Sequence, residues 1–454
     1  MFAALVRYAR PPSPLAGRLS VQSLLFALGE GTFMTGSAVF FTQIVGLTAA
    51  QVGLGLTFAG IAAFLAALPM GKLVDRFGPK RMWAVSALGQ AAMFAVWPFI
   101  TDFQGYLAMA IVMDVIGALG GAAYGAYTID VLPADERVKS RAYMYSALNV
   151  GFTLGSLLGG IALAFHSNTL LHGLPWFTAA VFLVNAAAIT GLPRASHDDL
   201  SVEERKVTVP GPGPLRNLGW LLTTFFTGVF WTNQVLLNIV IPLWLVEETD
   251  APRVLLAFLF GTNTVMCIFL PMLAARGVHD VPTALRAVRI SSTFFVISCL
   301  ITLATHDTIG WTTIALVWLG HVTVTGAELY LSAASWSFEA ELMDPRQRGA
   351  YQGAAELSGT LGKVWAPAVF TFLAMNWGAT GWLVIAGIIV VATVAIHPST
   401  RLAQRFLEQH VPADVLADAR AGAPDAEVGL VTGPPSLIDA EDPAPGPLDP
   451  LSSP

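Results

Sequence analysis

The chain is short of charged residues. Asp, Glu, Lys and Arg make up 12% of its 454 residues, whereas roughly a quarter of the residues of a typical soluble protein are charged. Hydrophobic residues make up 55%, and the mean hydropathy is +0.64. This balance excludes an ordinary soluble protein and indicates a chain that lies in a lipid bilayer, and we expect no nucleic-acid partner.

Cysteine is almost absent as well. Cys267 and Cys299 both lie inside apolar runs, where a thiol acts as a small hydrophobic side chain. We therefore expect neither a disulfide nor a metal site. The sequence also has no Gly-rich phosphate loop, no paired-His metal motif and no nucleophile with a base nearby, so we expect no enzyme activity, no cofactor and no ATP-driven transport.

Long apolar runs are abundant. A bilayer core about 30 Å thick needs roughly 20 apolar residues for each helical crossing. Twelve runs meet this requirement, which predicts an all-α membrane protein with twelve transmembrane helices. The predicted spans are 19–45, 51–70, 82–100, 105–129, 142–165, 175–193, 217–246, 254–275, 285–305, 310–335, 349–375 and 379–396.

The basic residues agree with twelve crossings. If both termini are cytoplasmic, 22 of the 24 Lys and Arg residues fall on the cytoplasmic side, where such residues collect in membrane proteins. The two exceptions are Arg253 and Lys363. Because Arg outnumbers Lys by 19 to 5 and Ala and Gly are abundant, the composition favours a bacterial plasma membrane as the location.

A long polar segment divides the helices six and six. We predict a cytoplasmic N-terminal segment (1–18), a first six-helix bundle (19–193), a cytoplasmic linker (194–216), a second six-helix bundle (217–397) and an acidic cytoplasmic tail (398–454). The tail is predicted to be largely disordered because it is rich in Pro, Gly and acidic residues.

The two halves share a weak internal repeat. Thr-Leu-Gly follows twelve positions after Arg141 and again twelve positions after Arg348, an offset of 207 residues. Internal repeats of this kind build the two halves of alternating-access transporters. We expect a monomer.

The stretch GKLVDRFGPKR, residues 71–81, joins the second and third predicted helices. It resembles the inner-loop signature of the major facilitator superfamily, with matches at Gly71, Leu73, Asp75, Arg76, Gly78 and Lys80, while Pro79 replaces a basic residue. The resemblance extends over residues 19–397 and implies two pseudo-symmetric six-helix bundles around a substrate cavity.

The same resemblance implies that Asp75 docks at the start of the eleventh helix, close to Arg348 and Gly349. A carboxylate is stabilised there by the positive end of the helix dipole. We hypothesise that Gly71, Asp75, Arg76, Gly78 and Lys80 form a latch that holds the cytoplasmic side shut, with Asp130 as a partner for Arg76. Alternatively, the basic residues only keep this turn in the cytoplasm.

The stretch GFTLGSLLGG in the fifth helix resembles the glycine pattern of the family's drug/proton antiporters. The matching residues are Gly151, Gly155, Gly159 and Gly160, whereas Ser156 stands in place of the usual Pro. Glycines four residues apart let a second helix approach closely. Close packing without a transport role therefore stays open as an alternative.

Several ionisable residues lie within the predicted spans, where each costs about 2.5–3.5 kcal/mol on insertion scales. The proton-coupling candidates are Glu30, Asp114, His321, Glu328 and Glu356. Glu30 is the first choice because its own helix has no basic residue, and His321, Thr325 and Glu328 share one helix face that would suit a proton relay. Hydrogen bonding in the packed interior is the alternative role for each.

Polar and aromatic side chains in the spans are candidates for the substrate cavity. They are Tyr124, Trp231, Asn233, Gln234, Asn238 and Lys363. Amides in these positions also serve to bridge helices, and Lys363 could neutralise a carboxylate of another helix.

We therefore expect a secondary active transporter of the multidrug-resistance kind that exports a small amphipathic organic compound in exchange for protons. Its partners would be that small-molecule substrate, protons and the lipid bilayer. Proton-coupled uptake is an alternative. A membrane sensor or scaffold without transport activity is a second alternative, which the intramembrane acids disfavour.

Overall fold

The computed structural model describes residues 11–165, 167–195 and 211–421, and within them it is helical without a β-strand. The first half contains α1 (Pro14–Val39), α2 (Ala49–Phe77), α3 (Pro79–Val96), α4 (Phe103–Val131), α5 (Arg137–Ala164) and α6 (Asn168–Thr190). The predictions for residues 1–10, 196–210 and 422–454, including the disordered tail, lie outside the described residues.

The second half continues in the same way. It contains α7 (Leu218–Phe230, Asn233–Val235, the π-helical turn Leu236–Val240 and Ile241–Glu248), α8 (Leu255–Phe269), followed by the short helix Pro271–Ala274, then α9 (Val281–Ala304), α10 (Trp311–Glu341), α11 (Arg348–Lys363), α12 (Ala366–His410) and α13 (Ala413–Ala421).

The helix ends follow local sequence signals. Thr48 and Gln51 form a capping box at the start of α2, and Asp102 accepts a hydrogen bond from the backbone N–H of Gly105 at the start of α4. Between α2 and α3 the chain reverses at Gly78, whose φ of 96° is a conformation that favours glycine. Pro79 then supplies a first helical residue that needs no N–H partner.

Ten helical stretches of the described chain are long and apolar enough to cross a membrane. The last of these, Pro345–His410, is 66 residues long and turns back at Gly378, where φ is 52°. It therefore supplies two crossings: the eleventh is α11 with the part of α12 before Gly378, and the twelfth is the part of α12 after it. Together with the shorter apolar helix Leu255–Phe269, these stretches make twelve crossings, in agreement with the predicted fold.

The helices form two bundles of six, α1–α6 and α7–α12. Within the first bundle α1 packs on α5, α2 on α4 and α3 on α6, and within the second α7 packs on α11 and α9 on α10. The bundles meet through α2 and α4 against α11, and through α5 against α8 and α10. Gly155 of α5 abuts α1, and its repeat counterpart Gly362 of α11 abuts α7, so the duplication is visible in the packing.

The chain after the twelfth crossing lies against both bundles. The guanidinium of Arg346 donates a hydrogen bond to the carbonyl oxygen of His410, 3.1 Å away, at the end of α12. Arg137, at the start of α5, donates to the carbonyl oxygen of Ala419 in α13 at 3.0 Å. The end of α12 is thus joined to the turn before α11, and α13 contacts both that turn, Pro345–Gln347, and the first bundle.

Candidate functional site

The two bundles are bound together most closely at one end of the molecule. We call it the basic end; it carries the turn between α2 and α3 and the start of α11. There the carboxylate of Asp75 accepts hydrogen bonds from the backbone N–H groups of Gly349 (2.7 Å) and Ala350 (2.8 Å). These N–H groups lie in the first turn of α11, where the helix offers free donors and the positive end of its dipole.

This contact needs two glycines. A Cβ atom on Gly71 would collide with the backbone of Gly349, and one on Gly349 would collide with the backbone of Gly71. Helices α2 and α11 therefore approach each other with no side chain between them, which brings Asp75 within reach of the α11 N–H groups.

Two ion pairs with buried arginines cross between the bundles beside Asp75. Arg141 at the start of α5 binds Glu339 at the end of α10, and Arg348 at the start of α11 binds Asp130 at the end of α4. Because Arg141 and Arg348 are the two arginines of the internal repeat, the pairs are related by the pseudo-symmetry of the bundles. The carboxylate of Asp130 binds Arg348, which the sequence did not suggest. The suggested pairing of Asp130 with Arg76 stays a prediction.

The contacts described for the other predicted latch residues lie within the first bundle. The guanidinium carbon of Arg76 lies 5.2 Å from the centre of the Phe77 ring. The ammonium of Lys80 donates to the carbonyl oxygens of Thr190 (2.9 Å) and Leu192, at the end of α6 in the same bundle. Lys80 thus closes a helix end within the first bundle, and Gly78 makes the turn.

Three of the four predicted packing glycines lie at the interface of α5 and α1. A Cβ atom on Gly155 would lie 2.8 Å from the backbone nitrogen of Thr32, and a Cβ atom on Gly159 would lie 2.6 Å from the carbonyl oxygen of Thr32. A Cβ atom on Gly151 would likewise collide with Leu24 and Ala27. Gly160 has open space instead. Residues 151, 155 and 159 lie on the helix face that contacts α1. Gly160 does not, because each successive residue of an α-helix is rotated by about 100°.

Glu30 and Asp114 line one cavity of about 350 Å³ inside the first bundle. The cavity is enclosed by α1, α3, α4, α5 and α6, and Tyr124 is also part of its wall. Asp114 is exposed and Glu30 is partly buried, so the cavity opens at α4 and Glu30 lies further from the mouth. The hydroxyl of Tyr124 lies 3.5 Å from that of Ser23.

Glu328 lies in a different place, at the contact between the bundles. Its Oε1 accepts a hydrogen bond from the hydroxyl of Tyr145 in α5 at 2.6 Å, and the amide of Asn263 in α8 donates to its Oε2 at 3.3 Å. Asn263 also donates to Thr325 at 3.1 Å. The Glu328 side chain therefore ties α5 of one bundle to α8 and α10 of the other.

His321 is 1% exposed, and its ring lies 6.5 Å from that of Phe260. The described hydrogen bonds thus connect Thr325 with Glu328 through Asn263, a residue of another helix, and give no step from the His321 ring to Thr325. The relay stays a prediction.

The remaining candidates lie in the second bundle. Glu356, Lys363 and Trp231 line a smaller cavity of about 150 Å³ between α7, α10 and α11. Asn233 is buried, whereas Asn238 is exposed and donates to the backbone oxygen of Gln234 at 2.9 Å. The Asn238 amide also lies 3.4 Å from the side-chain oxygen of Gln234, so two of the three α7 amides contact each other, and the third, Asn233, is buried.

Sequence reasoning missed the residues that complete these sites. In the first bundle they are Gln22, Gln90 and Asn185, and at the bundle contacts they are Tyr145, Asn263 and Glu339. Amides in the middle of apolar runs, and arginines at equivalent positions of the repeat, were the signals that could have found most of them.

Comparisons with known proteins agree with the architecture. A family model for the Major Facilitator Superfamily matches residues 19–367. The class C tetracycline resistance protein of Escherichia coli is 23% identical over 365 residues, which cover 77% of this chain and 87% of that protein. A Na(+), Li(+), K(+)/H(+) antiporter of Planococcus maritimus is 25% identical over 389 residues, covering 77% of this chain and 86% of the antiporter.

Solved structures with the same fold include transporters of several kinds. The human organic anion transporter MFSD10 (TETRAN) has a TM-score of 0.62 at 18% identity, with 85% of this chain and 100% of that one covered. A bacterial homologue of the iron transporter ferroportin, in an outward-facing state with soaked iron, has a TM-score of 0.67 at 12% identity, with 85% and 99% covered. Identities this low show a shared fold and leave the substrate open.

Proposed function

The chain belongs to the major facilitator superfamily, whose members are transporters and not enzymes, and from this premise we propose that it exports a small amphipathic organic compound in exchange for protons. The observation that carries the proposal is the placement of Glu30 and Asp114 on one cavity inside membrane-spanning helices. Relatives named for tetracycline resistance and for cation/proton antiport support export and proton exchange.

The proposal places the basic end in the cytoplasm. Lys and Arg collect on the cytoplasmic side of membrane proteins, and the residues at this end include Lys72, Arg76, Lys80 and Arg81. Since Asp75 and the two ion pairs hold this end together, the described conformation would be closed to the cytoplasm.

In the proposed cycle, protons and substrate compete for the same carboxylates. Protons from outside bind Glu30 and Asp114 and displace the substrate. The bundles then rock, and protons leave to the cytoplasm as a new substrate binds. The rocking step that opens the basic end must break the two backbone hydrogen bonds of Asp75 and both cross-bundle ion pairs, and the return step re-forms them. The latch residues therefore set the equilibrium between the two conformations.

Proton flux in inverted membrane vesicles tests this proposal. The vesicle lumen is first acidified by respiration, and a panel of amphipathic compounds is then added outside. Antiport predicts that an accepted compound raises the luminal pH, and that Glu30→Gln abolishes the change. Glu247→Gln serves as the matched control, because Glu247 is exposed at the end of α7 and remote from the cavity.

The sign of the flux separates the alternatives. A fall in luminal pH on adding the compound would indicate symport, the mode of uptake systems. Flux of the same sign and size in wild type and Glu30→Gln would remove Glu30 from the mechanism, and a complete lack of flux with every compound would contradict proton coupling.

A further inference from the structure

The cavity that holds Glu30 and Asp114 lies inside one bundle and not between the two. Its described lining residues all come from the first bundle. Part of the wall is made by Gly117 and Gly121 of α4, one turn apart, and a Cβ atom on either would meet open space. The volume of about 350 Å³ is at the lower end of the range for small-molecule sites, roughly 300–1,000 Å³.

The cavity has unused hydrogen-bond acceptors. The side-chain carbonyl oxygens of Gln22, Gln90 and Asn185 are buried and have no hydrogen-bond partner. These side chains are 3%, 8% and 1% exposed, so bulk water does not solvate them fully. Buried acceptors are rarely left without a donor in folded proteins. A molecule that carries donors would therefore satisfy them.

The orientation of the Gln90 amide is set by its neighbours. Its Nε2 lies 3.5 Å from the hydroxyl of Ser86, and that hydroxyl donates to the carbonyl oxygen of Ile116 at 2.8 Å. Because the Ser86 proton is used, Ser86 can only accept from Gln90, so the Gln90 carbonyl oxygen is directed elsewhere.

The charge of the cavity has one sign. Its described lining residues include two carboxyl groups, Glu30 and Asp114, and none of them is Lys, Arg or His. A positively charged occupant would compensate these groups, whereas an anion would meet like charge without a counter-ion.

The rest of the wall is aromatic. Phe26 and Phe182 lie edge to face with their centres 5.6 Å apart, and Trp83 and Tyr124 do the same at 5.3 Å. Aromatic faces attract organic cations through their quadrupoles and also cover apolar groups. A bare or hydrated alkali ion would leave this apolar wall without a partner.

We propose that the cavity of the first bundle binds a small organic monocation with N–H donors, that is, a protonated amine attached to an apolar group. The ammonium, with three N–H donors, pairs with a carboxylate of the cavity and donates its remaining N–H groups to amide oxygens of the wall, and the apolar group lies against the two aromatic pairs. The inference rests on the proposed function in taking this amine as the exported compound. Its test, however, is equilibrium binding, which needs no transport step.

The experiment measures binding of arylalkyl amines to the purified full-length protein at pH 7.5. The probes are benzylammonium, 2-phenylethylammonium and 4-phenylbutylammonium, each paired with the alcohol of the same chain length. We expect saturable binding of at least one amine and at least tenfold weaker binding of its alcohol. Gly121→Val fills the cavity and should abolish binding, whereas Gly60→Val, at an exposed glycine of α2 with open space, should not change it.

A second variant separates binding from folding. Asn185→Leu replaces an amide with an unpaired oxygen by an apolar side chain of similar size, so the ligand-free protein should unfold at the same or a higher temperature. Loss of the amide oxygen should nevertheless weaken amine binding about tenfold, as expected for one hydrogen bond to a charged group.

Several results would overturn the proposal. They are a lack of binding by all three amines, equal binding of amine and alcohol, and unchanged binding in Gly121→Val. The proposed function can fail separately. If the amine binds but moves no protons in vesicles, the site stands and proton exchange does not; if other compounds drive proton flux while the amines do not bind, the reverse holds.

Discussion

Asp75 shows how one side chain couples two bundles. Its two carboxylate oxygens each accept a backbone N–H of α11, while its own backbone belongs to α2. The interaction requires the N-terminal turn of α11 to lie against α2. Separation of the bundles at the basic end would break it, and we therefore propose that Asp75 acts as a conformational switch as well as a packing contact.

Asp75→Asn should open the basic end. An amide has one acceptor oxygen and no charge, so the variant loses one hydrogen bond and the dipole interaction, worth about 1–2 kcal/mol in a partly buried site. We expect the open population to rise about five- to thirtyfold. Spin labels at Arg81→Cys and Arg276→Cys, exposed positions on opposite bundles at this end, would report it as longer distances. The native Cys267 and Cys299 are buried and should label poorly.

Asp250→Asn is the matched control for this variant. Asp250 also accepts a backbone N–H, that of Gly310 at 2.6 Å, but both residues belong to the second bundle. The same chemical change there should leave the label distances unchanged. Equal distances in wild type and Asp75→Asn would show that Asp75 does not hold the end shut.

Tyr145→Phe tests the second cross-bundle contact, that between α5 and Glu328. The variant removes the hydroxyl that donates to Glu328 at 2.6 Å and keeps the ring. A loss of about 1 kcal/mol should raise the open population about fivefold in the same distance measurement. Tyr106→Phe is the control, because the Tyr106 hydroxyl donates to the Val52 carbonyl within the first bundle at 2.9 Å. A shift of the same size in both variants would contradict a specific role for Tyr145.

At this scale the sequence predicts some contacts and misses others for a physical reason. The motif at residues 71–81 led to the contact between Asp75 and the start of α11, because the family resemblance of this motif implied where Asp75 binds. The partner of Asp130 depends on how α4 and α11 cross, which no local pattern encodes. Gln22, Gln90 and Asn185 come from three helices, so their convergence appears only when the bundle is assembled.

At the scale of helices, α5 and α1 are held together by backbone contact. In a bilayer, lipid does not push helices together, so close van der Waals packing has to supply the attraction. Gly151, Gly155 and Gly159 remove the side chains that would keep α1 at a distance. The same arrangement recurs where Gly228 of α7 meets Gly359 of α11.

Gly155→Val should destabilise the protein. The new side chain would overlap the backbone at Thr32 and force α1 and α5 apart, and overpacking of this kind costs about 1–3 kcal/mol. We expect a lower unfolding temperature in detergent and a lower yield of folded protein. Gly160→Val lies five residues further along the same helix in open space and should behave like wild type. Similar unfolding temperatures for the two variants would refute the packing role.

Two of the helix irregularities in the second bundle that differ from the predicted spans lie next to a proline. The apolar run 217–246 predicts one helix, but α7 contains a π-helical turn, Leu236–Val240, just before Pro242. Proline has no N–H and clashes with the preceding turn, so the helix widens there. Pro271 ends α8 after Phe269 in the same way. A hydropathy profile predicts the membrane crossing but does not detect such interruptions of the helix.

At the scale of the whole molecule, the two bundles are joined by a symmetric set of charges. Arg141 and Arg348 are 8% and 7% exposed, and each binds a carboxylate of the opposite bundle. A buried arginine without a partner costs about 3–5 kcal/mol. The closed conformation therefore depends on both pairs, and the repeat explains why both exist.

Asp130→Asn and Glu339→Gln should each shift the molecule toward the open conformation, where the freed arginine reaches water. We expect more than a tenfold rise in the open population for either variant, measured by the same label pair. Asp344→Asn is the control, since Asp344 is buried and pairs with Arg346 two residues away at 2.8 Å. It should lower the unfolding temperature without changing the label distances, and an equal shift in all three variants would argue against the cross-bundle role.

The attachment of the C-terminal segment to both bundles has a practical consequence. Arg346 binds the end of α12 and Arg137 binds α13, so this segment bridges the two halves as a bracket does. When the two bundles tilt relative to each other, one of these two hydrogen bonds, Arg346–His410 or Arg137–Ala419, should lengthen or break. The fluorescence intensity of a dye on α13, paired with a quencher on α9, would consequently change with each turnover. This change would report the transport cycle in single molecules.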